Sequence, residues 1–320
     1  YSLSNVGQLR EEQGELEPAI EALEASREIF EDLVKEDEAL AGELAKVYAK
    51  LGDAQRSAGR LSLALARFRL ALPIFQRLAT VDDPPSGYWV GITLDYIADL
   101  LLDLGNRTDA LDALETSVGL ARRLVEHDPT NTNWQAILAQ RLNRLGRVWI
   151  GAGELGAARE VLEEDRSIVE SLLALEPSHG LWRLAWARNR CVSASLSLAE
   201  ALPEPALTLA RSCRDVLTDL ANDEDRKYRY WLARAHHLLA SAFDELDDHD
   251  GAGLSRGEGI DTARSLVERR QPRPQDIDLW VRLLLEADRP IEAEPWIRRL
   301  ASMDYSAPGY LAFVEINRAP

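Results

Sequence analysis

Small residues recur along this chain at nearly constant intervals, and large apolar residues follow them at helical spacing. Alanine stands at seven positions separated by 45, 46, 48, 48, 46 and 41 residues, namely Ala19, Ala64, Ala110, Ala158, Ala206, Ala252 and Ala293. Twelve residues earlier, the first six units have a second small residue and the last has valine: Gly7, Gly52, Ala98, Gly146, Ala194, Ala240 and Val281. An internal period of this length is typical of repeat proteins.

Each unit has the spacing of a helix, a turn and a second helix. In units one to four a glycine precedes the alanine by five residues, at Gly14, Gly59, Gly105 and Gly153. A large apolar residue follows the alanine by four, one helical turn on and on the same face, at Leu23, Phe68, Leu114 and Leu162. Small residues remove side-chain bulk where helices cross. The pattern predicts seven hairpins, about fourteen helices, with turns near Gly14, Gly59, Gly105, Gly153, Leu202, Asp247 and Asp288.

The pattern resembles the tetratricopeptide repeat. The leucine-glycine pair of that repeat is matched by Leu51-Gly52 and Leu145-Gly146, and its alanine and large apolar residue by Ala64 with Phe68 and Ala158 with Leu162. The match is strong in units one to four and weak in five to seven, and the period exceeds the family's ~34 residues. The resemblance implies an all-α fold, a right-handed superhelical solenoid of about seven helix-turn-helix repeats. We expect one domain over residues 1–320, with repeats at 1–40, 41–86, 87–131, 132–179, 180–226, 227–272 and 273–320, the last including a C-terminal cap.

Charge and hydropathy narrow the classes of partner. The net charge of −17 argues against a nucleic-acid partner, because phosphate binding requires a surplus of Lys and Arg. No stretch approaches the ~18–20 apolar residues of a membrane span, and no signal segment precedes the first repeat. We therefore expect a cytoplasmic location with no membrane contact. Only four of the 37 basic residues are lysine, which indicates a GC-rich bacterial source.

Four long loops between units end at a tryptophan, and the chain has two cysteines. Trp89, Trp134, Trp182 and Trp231 are expected to anchor the helices that follow. Cys191 and Cys213 lie at packing positions of unit five, where we expect buried free thiols; a disulfide or a metal role is the alternative.

Motifs that resemble catalytic or metal sites lie in a helical context. Gly151, Gly153 and Gly156 form a G-x-G-x-x-G without the strands that a dinucleotide site needs. Gly253, Ser255 and Gly257 form a G-x-S-x-G without the strand-to-helix turn of a nucleophile elbow. The pair His236-His237 lacks the i, i+4 spacing of helical metal ligands, and the acidic run 244–250 lacks the glycine and glutamate of a calcium loop. We expect no catalytic residue, no metal and no cofactor; a helical hydrolase that uses Ser255 is a remote alternative.

Exposed positions of the first helices are candidates for partner binding, because these helices line a concave groove in arrays that resemble this one. The repeat offsets give Lys46, Arg56, Gln140, Asn143, Arg147, Arg188, Arg234 and His237, whereas unit three gives Asp95, Asp99 and Asp103. We expect an acidic or carboxylate-bearing segment to bind across units four to six, since arginine holds carboxylates bidentately. The alternative is that these residues form ordinary solvated helix faces.

Two hypotheses about function follow. The chain begins inside a repeat, at Tyr1, and its sole methionine is Met303, so we expect a piece of a longer polypeptide. The resemblance implies a scaffold or sensor arm that binds a protein or peptide partner and regulates an effector module on the same polypeptide, in bacterial signalling or antiviral defence. The alternative is a freestanding adaptor, or a module that forms a homo-oligomer through its groove.

Overall fold

The structure is a computed structural model that describes residues 15–79, 87–220, 225–268 and 271–318. Every regular element within these ranges is helical. The α-helices are α1 Leu16–Glu36, α2 Ala41–Ser57, α3 Leu61–Leu78, α4 Tyr88–Asp103, α5 Arg107–His127, α6 Thr132–Ala152, α7 Leu155–Leu175, α8 Gly180–Ala199, α9 Pro203–Leu220, α10 Arg226–Glu245, α11 His249–Val267, α12 Pro274–Glu286, α13 Pro290–Ala301 and α14 Tyr310–Arg318. A short 3₁₀ helix, Glu38–Leu40, precedes α2. The prediction of an all-α array of helix-turn-helix repeats is confirmed.

Six hairpin turns share one backbone geometry. One residue in each has a positive φ, between 55° and 82°: Gly59, Gly105, Gly153, Ala201, Asp247 and Asp288. The N–H of the next residue donates to a carbonyl five positions earlier, as Glu154 N does to Trp149 O at 3.0 Å and Leu202 N to Ser197 O at 2.8 Å. This bond satisfies the end of the first helix. Units five to seven therefore keep the turn without glycine, although a left-handed alanine or aspartate costs about 1–2 kcal/mol.

The predicted turns are confirmed at these six places. In unit five the left-handed residue is Ala201, one position before the expected Leu202. Gly14 and Gly7 lie outside the described residues.

The helices of a hairpin cross where the sequence places small residues. All seven alanines of the series are completely buried. A Cβ atom on Gly146 of α6 would lie 2.8 Å from Cδ2 of Leu162 on α7, and one on Gly52 would lie 2.9 Å from Cε2 of Phe68. The glycine of the first helix thus faces the large residue of the second helix in the same hairpin, and no side chain fits between them.

The described chain forms two compact units. The first contains α1 to α5 together with residues 300–308. In it, Ser306 donates its N–H to the carbonyl oxygen of Asp103 at 2.8 Å, next to the turn at Gly105. The second unit contains α6 to α12, residues 290–299 of α13 and residues from 309 onward, where α14 packs against α12. The expectation of a single domain over 1–320 stays a prediction.

The two cysteines form a disulfide, so the prediction of free thiols is wrong. Cys191 of α8 and Cys213 of α9 are completely buried, and their Cα atoms lie 5.5 Å apart. The pairing follows from the hairpin: both residues occupy small-residue positions where its two helices cross, at a distance that suits a disulfide.

Replacing Gly146 with Ala should lower the free energy of unfolding by about 1–3 kcal/mol, because the new methyl group overpacks the contact with Leu162. Gly156→Ala is the matched control: Gly156 is an exposed position in α7, and a Cβ atom added there would have no neighbouring atom within 4 Å. That variant should be neutral or stabilising by up to about 1 kcal/mol. Chemical denaturation measures both, and equal effects of the two substitutions would contradict the crossing geometry.

Alkylation of the unfolded protein without reductant should label neither cysteine, and alkylation after reduction should label both. The disulfide closes a 22-residue separation. Reduction should therefore lower the free energy of unfolding by about 2–4 kcal/mol. Mass spectrometry counts the labels, and two labels before reduction would show that the thiols are free.

Candidate functional site

The first helices of repeats four to six, α6, α8 and α10, carry the candidate site. The side-chain oxygen of Asn131 accepts the N–H groups of Asn133 and Trp134 at 3.1 and 3.2 Å, and Asp225 accepts that of Lys227 at 3.1 Å. These caps fix where α6 and α10 begin. Since α8 packs against both α6 and α10, residues on matching faces of the three helices meet.

Arginines from all three helices surround one indole ring, that of Trp231 on α10. The Cζ atoms of Arg147, Arg188 and Arg234 lie 5.9, 5.7 and 5.9 Å from the ring centroid. Cations within ~6 Å of an aromatic ring are attracted to it, indole most strongly. The structure thus brings together three of the residues that the sequence placed in the groove. We call them, with Arg144 of α6, the arginine cluster.

Trp231 differs from the other tryptophans that were expected to be anchors. It is 7% exposed and belongs to the same buried core as Leu184 of α8. Trp89 is 43% exposed and stacks on Phe75 with ring centroids 5.8 Å apart, and Trp134 and Trp182 are half-buried. Trp231 is therefore packed into the core while the three guanidinium groups lie around its ring.

Arg188 and Arg234 carry positive charge that no direct ion pair among the described residues neutralises. Within the described parts of the chain, neither side chain forms an ion pair, and the buried Nε atom of each lacks a hydrogen-bond partner. Burial, together with the neighbouring charges of Arg144 and Arg147, lowers the pKa of Arg188 to about 10. Arg188 still carries its charge at neutral pH, so the cluster can bind an anion.

A buried polar network lies beside the cluster. Asp165 of α7 is 1% exposed, and its Oδ2 accepts the side-chain amides of Asn143 at 3.0 Å and Asn189 at 2.9 Å. Asn189, which is also buried, adjoins Arg188 in α8 and donates a further bond to the carbonyl oxygen of Leu162 at 2.9 Å. Asn143 was expected to be exposed, but it is 6% exposed and contributes to this network instead.

Burial raises the pKa of Asp165 to about 7, against the opposing effects of Asn189, Asn143 and Arg188. A carboxylate at this depth loses the hydration that stabilises its charge. The hydrogen bonds suit both the ionised and the protonated carboxyl group of Asp165. Both amides donate to one oxygen, as they would to the carbonyl oxygen of a carboxylic acid.

The other predicted groove residues do not join the cluster. Gln140 is exposed. His237 of α10 places Nε2 2.9 Å from Oε1 of Glu286. In the compact unit formed by α1 to α5, Lys46 pairs with Glu43 at 2.9 Å.

Arg56, in the same compact unit, interacts with a carboxylate and an aromatic ring close to it. It pairs with Asp53 at 2.8 Å and lies 4.9 Å from the ring centroid of Tyr96. Of the acidic residues projected for unit three, Asp99 adds to the negative charge near Arg56, and Asp95 accepts a hydrogen bond from Ser117 at 2.7 Å. The charged side chains around Arg56 and Asp95 therefore interact with other residues of the chain.

The catalytic-like motifs lie where the repeat explains them. Ser255 is buried inside α11, away from any strand-to-helix turn. Gly153 is the left-handed residue of the turn between α6 and α7. Among the described residues, no group of three or more His, Cys, Asp or Glu side chains is arranged to hold a metal ion.

In the part of the chain that the structure describes, no helix has both the length and the apolar character needed to cross a bilayer.

Three residues of the site, Asp165, Asn189 and Arg144, were not predicted from the sequence. A signal for Asp165 exists in the repeat itself. The residue seven positions after each alanine of the series is buried in all seven units: Ser26, Ala71, Ser117, Asp165, Cys213, Gly259 and Leu300. Asp165 is the one charged residue in that register, so its position marks a buried carboxylate.

Replacing Asp165 with Asn should increase the stability of the protein at high pH relative to wild type. With a folded pKa near 7 and an unfolded value near 3.9, Asp165 stabilises the fold below pH 3.9 and loses that contribution as pH rises through 7. Between pH 5 and pH 8, the difference in free energy of unfolding should shift by about 1–3 kcal/mol in favour of the variant. Chemical denaturation at both pH values measures it. Asp261→Asn, at an exposed position in α11, is the control, and an equal shift there would contradict the assignment.

No family model and no curated protein sequence matches the chain. Solved structures do. RapI in its apo form is 13% identical, with a TM-score of 0.64 over 94% of this chain and 73% of that one. The apo form of the quorum sensor NprR from B. thuringiensis is 14% identical, with a TM-score of 0.58 over 94% and 75%. A tetratricopeptide repeat protein from Parabacteroides merdae is 15% identical, with a TM-score of 0.52 over 99% and 98%.

At these identities the likeness concerns the fold. The buried alanine series and the crossings of glycine with a large residue involve the residues on which the resemblance was based. The chain is thus similar throughout its length to solved helical-repeat proteins, and it has the fold of a tetratricopeptide-like array.

Proposed function

We propose that the chain is a protein-interaction array whose second unit binds an acidic segment of a partner protein at the arginine cluster. One observation carries the proposal: Arg147, Arg188 and Arg234, from three successive repeats, gather on the ring of Trp231. Like charges repel, and neither Arg188 nor Arg234 forms an ion pair among the described residues, so the cluster is stabilised when another group supplies negative charge there. A partner carboxylate would do so with hydrogen bonds to the guanidinium groups.

The likeness to known structures supports an interaction role. The structurally similar proteins include a quorum sensor, NprR, and a tetratricopeptide repeat protein. We extend the proposal to a sensor arm: partner binding at the cluster regulates an effector module on the same polypeptide, in bacterial signalling or defence. Sequencing the complete gene tests this extension, since an attached enzymatic module is expected and a gene that encodes the array alone would overturn it.

Replacing both Arg188 and Arg234 with Gln should weaken the binding of an acidic peptide at least about tenfold, because hydrogen bonds to charged groups contribute about 1.5–3 kcal/mol each. The probe is an N-acetylated, fluorescein-labelled hexaglutamate peptide, and fluorescence anisotropy at low salt measures its affinity. Wild-type affinity should also fall as salt screens the charges.

The matched control replaces two exposed arginines of α7, Arg159 and Arg166, with Gln. The control removes the same amount of positive charge, but from a second helix of a repeat and not from the first helices that carry the cluster. It should bind the peptide as wild type does. Circular dichroism verifies that both double variants keep their helicity. Equal binding by wild type and the Arg188/Arg234 variant would place the interaction surface elsewhere.

A further inference from the structure

Asp165 is a buried acid that the proposed binding of a partner does not use. It lies on α7, between α6 and α8, and is held by Asn143 from one and Asn189 from the other. Its register position is occupied in the other repeats by uncharged residues, which are small or apolar. Packing alone therefore does not account for a carboxyl group at this position.

The charged group that acts on Asp165 belongs to the arginine cluster. Arg188 of α8 interacts electrostatically with Asp165, whereas α6 contributes the neutral amide of Asn143. Arg188 in turn interacts electrostatically with Arg144 and Arg147 of α6 and with Tyr228 of α10. Asp165 is a carboxylate that stabilises the charge of Arg188, against the opposing charges of Arg144 and Arg147.

We propose that Asp165 is the internal counter-charge of Arg188, and that an acidic segment binds at the arginine cluster with uptake of one proton by Asp165. The inference rests on the proposed function, and it adds that binding is coupled to pH. An incoming carboxylate takes over the neutralisation of Arg188 and repels the carboxylate of Asp165. The repelled carboxylate then gains a proton from solvent.

The hydrogen bonds accommodate this proton. Both amides donate to Oδ2, and no described residue donates to Oδ1, so Oδ1 can become the hydroxyl of the acid while Oδ2 keeps its two bonds. No side chain has to move. The protonated form binds the anion better, so affinity must fall as pH rises through the titration of Asp165.

The direct test measures hexaglutamate binding at pH 7.0 and pH 8.5. The peptide's side chains are ionised throughout this range, and an ordinary histidine is mostly neutral in it. Wild type should bind about threefold or more tightly at pH 7.0. Asp165→Asn should bind about equally at both pH values. A variant that keeps the wild-type dependence would overturn the proposal.

Calorimetry gives a second readout. Titrations in Tris and in triethanolamine, which differ in enthalpy of ionisation, should reveal proton uptake by wild type and none by Asp165→Asn. His237→Gln is the matched control, because His237 is the titratable neighbour of Arg234 along α10. It should retain the uptake seen in wild type, and loss of uptake in that variant would assign the proton to His237.

A third readout needs no peptide. The pKa of Asp165, followed by ¹³C NMR of its carboxyl carbon in the whole chain, should rise when Arg188 is replaced with Gln, because the stabilising cation is lost. An unchanged pKa would overturn the counter-charge role. If wild type fails to bind the peptide at all, the proposed function fails, while the NMR comparison still decides whether Asp165 and Arg188 are coupled.

Discussion

The helix crossings allow no extra volume, and the rest of the structure depends on that constraint. At Gly146 and Gly52, a single added methyl group would lie closer than 3.0 Å to the side chain of the facing helix. Helices that cross this closely cannot slide by a residue without a clash. The crossing therefore fixes the register of each hairpin, and the register decides which side chains of neighbouring first helices meet.

The arginine cluster is a consequence of that register. Arg188 and Arg234 occupy equivalent positions, eighteen residues before the alanines of units five and six, and Arg147 lies in the preceding unit. None of the three is near another in sequence, yet all reach the ring of Trp231. An array of repeats can thus concentrate charge at one point by placing one arginine in each repeat.

The sequence predicted the features that depend on local backbone and on periodic packing. Glycine and alanine have few other reasons to recur at fixed spacing, so turns and crossings could be located even where the glycine is replaced, as at Asp247 and Asp288. The site was predicted only in part. Exposure was inferred from helical position alone, which cannot show that Asn143 points to a buried carboxylate. The disulfide was missed because an assumed reducing location outweighed the geometry of two small-residue positions on facing helices.

The disulfide has a consequence for how the array opens. In a chain of repeats, stability is close to a sum of the intrinsic stability of each repeat and the coupling between neighbours. Cys191 and Cys213 join the two helices of one hairpin, so the bond strengthens repeat five alone and leaves its coupling to adjacent repeats unchanged. Fraying that starts at an end of the second unit would then stop at this hairpin. Arg188, which lies one turn before Cys191, would keep its position while repeats further out exchange between open and closed states.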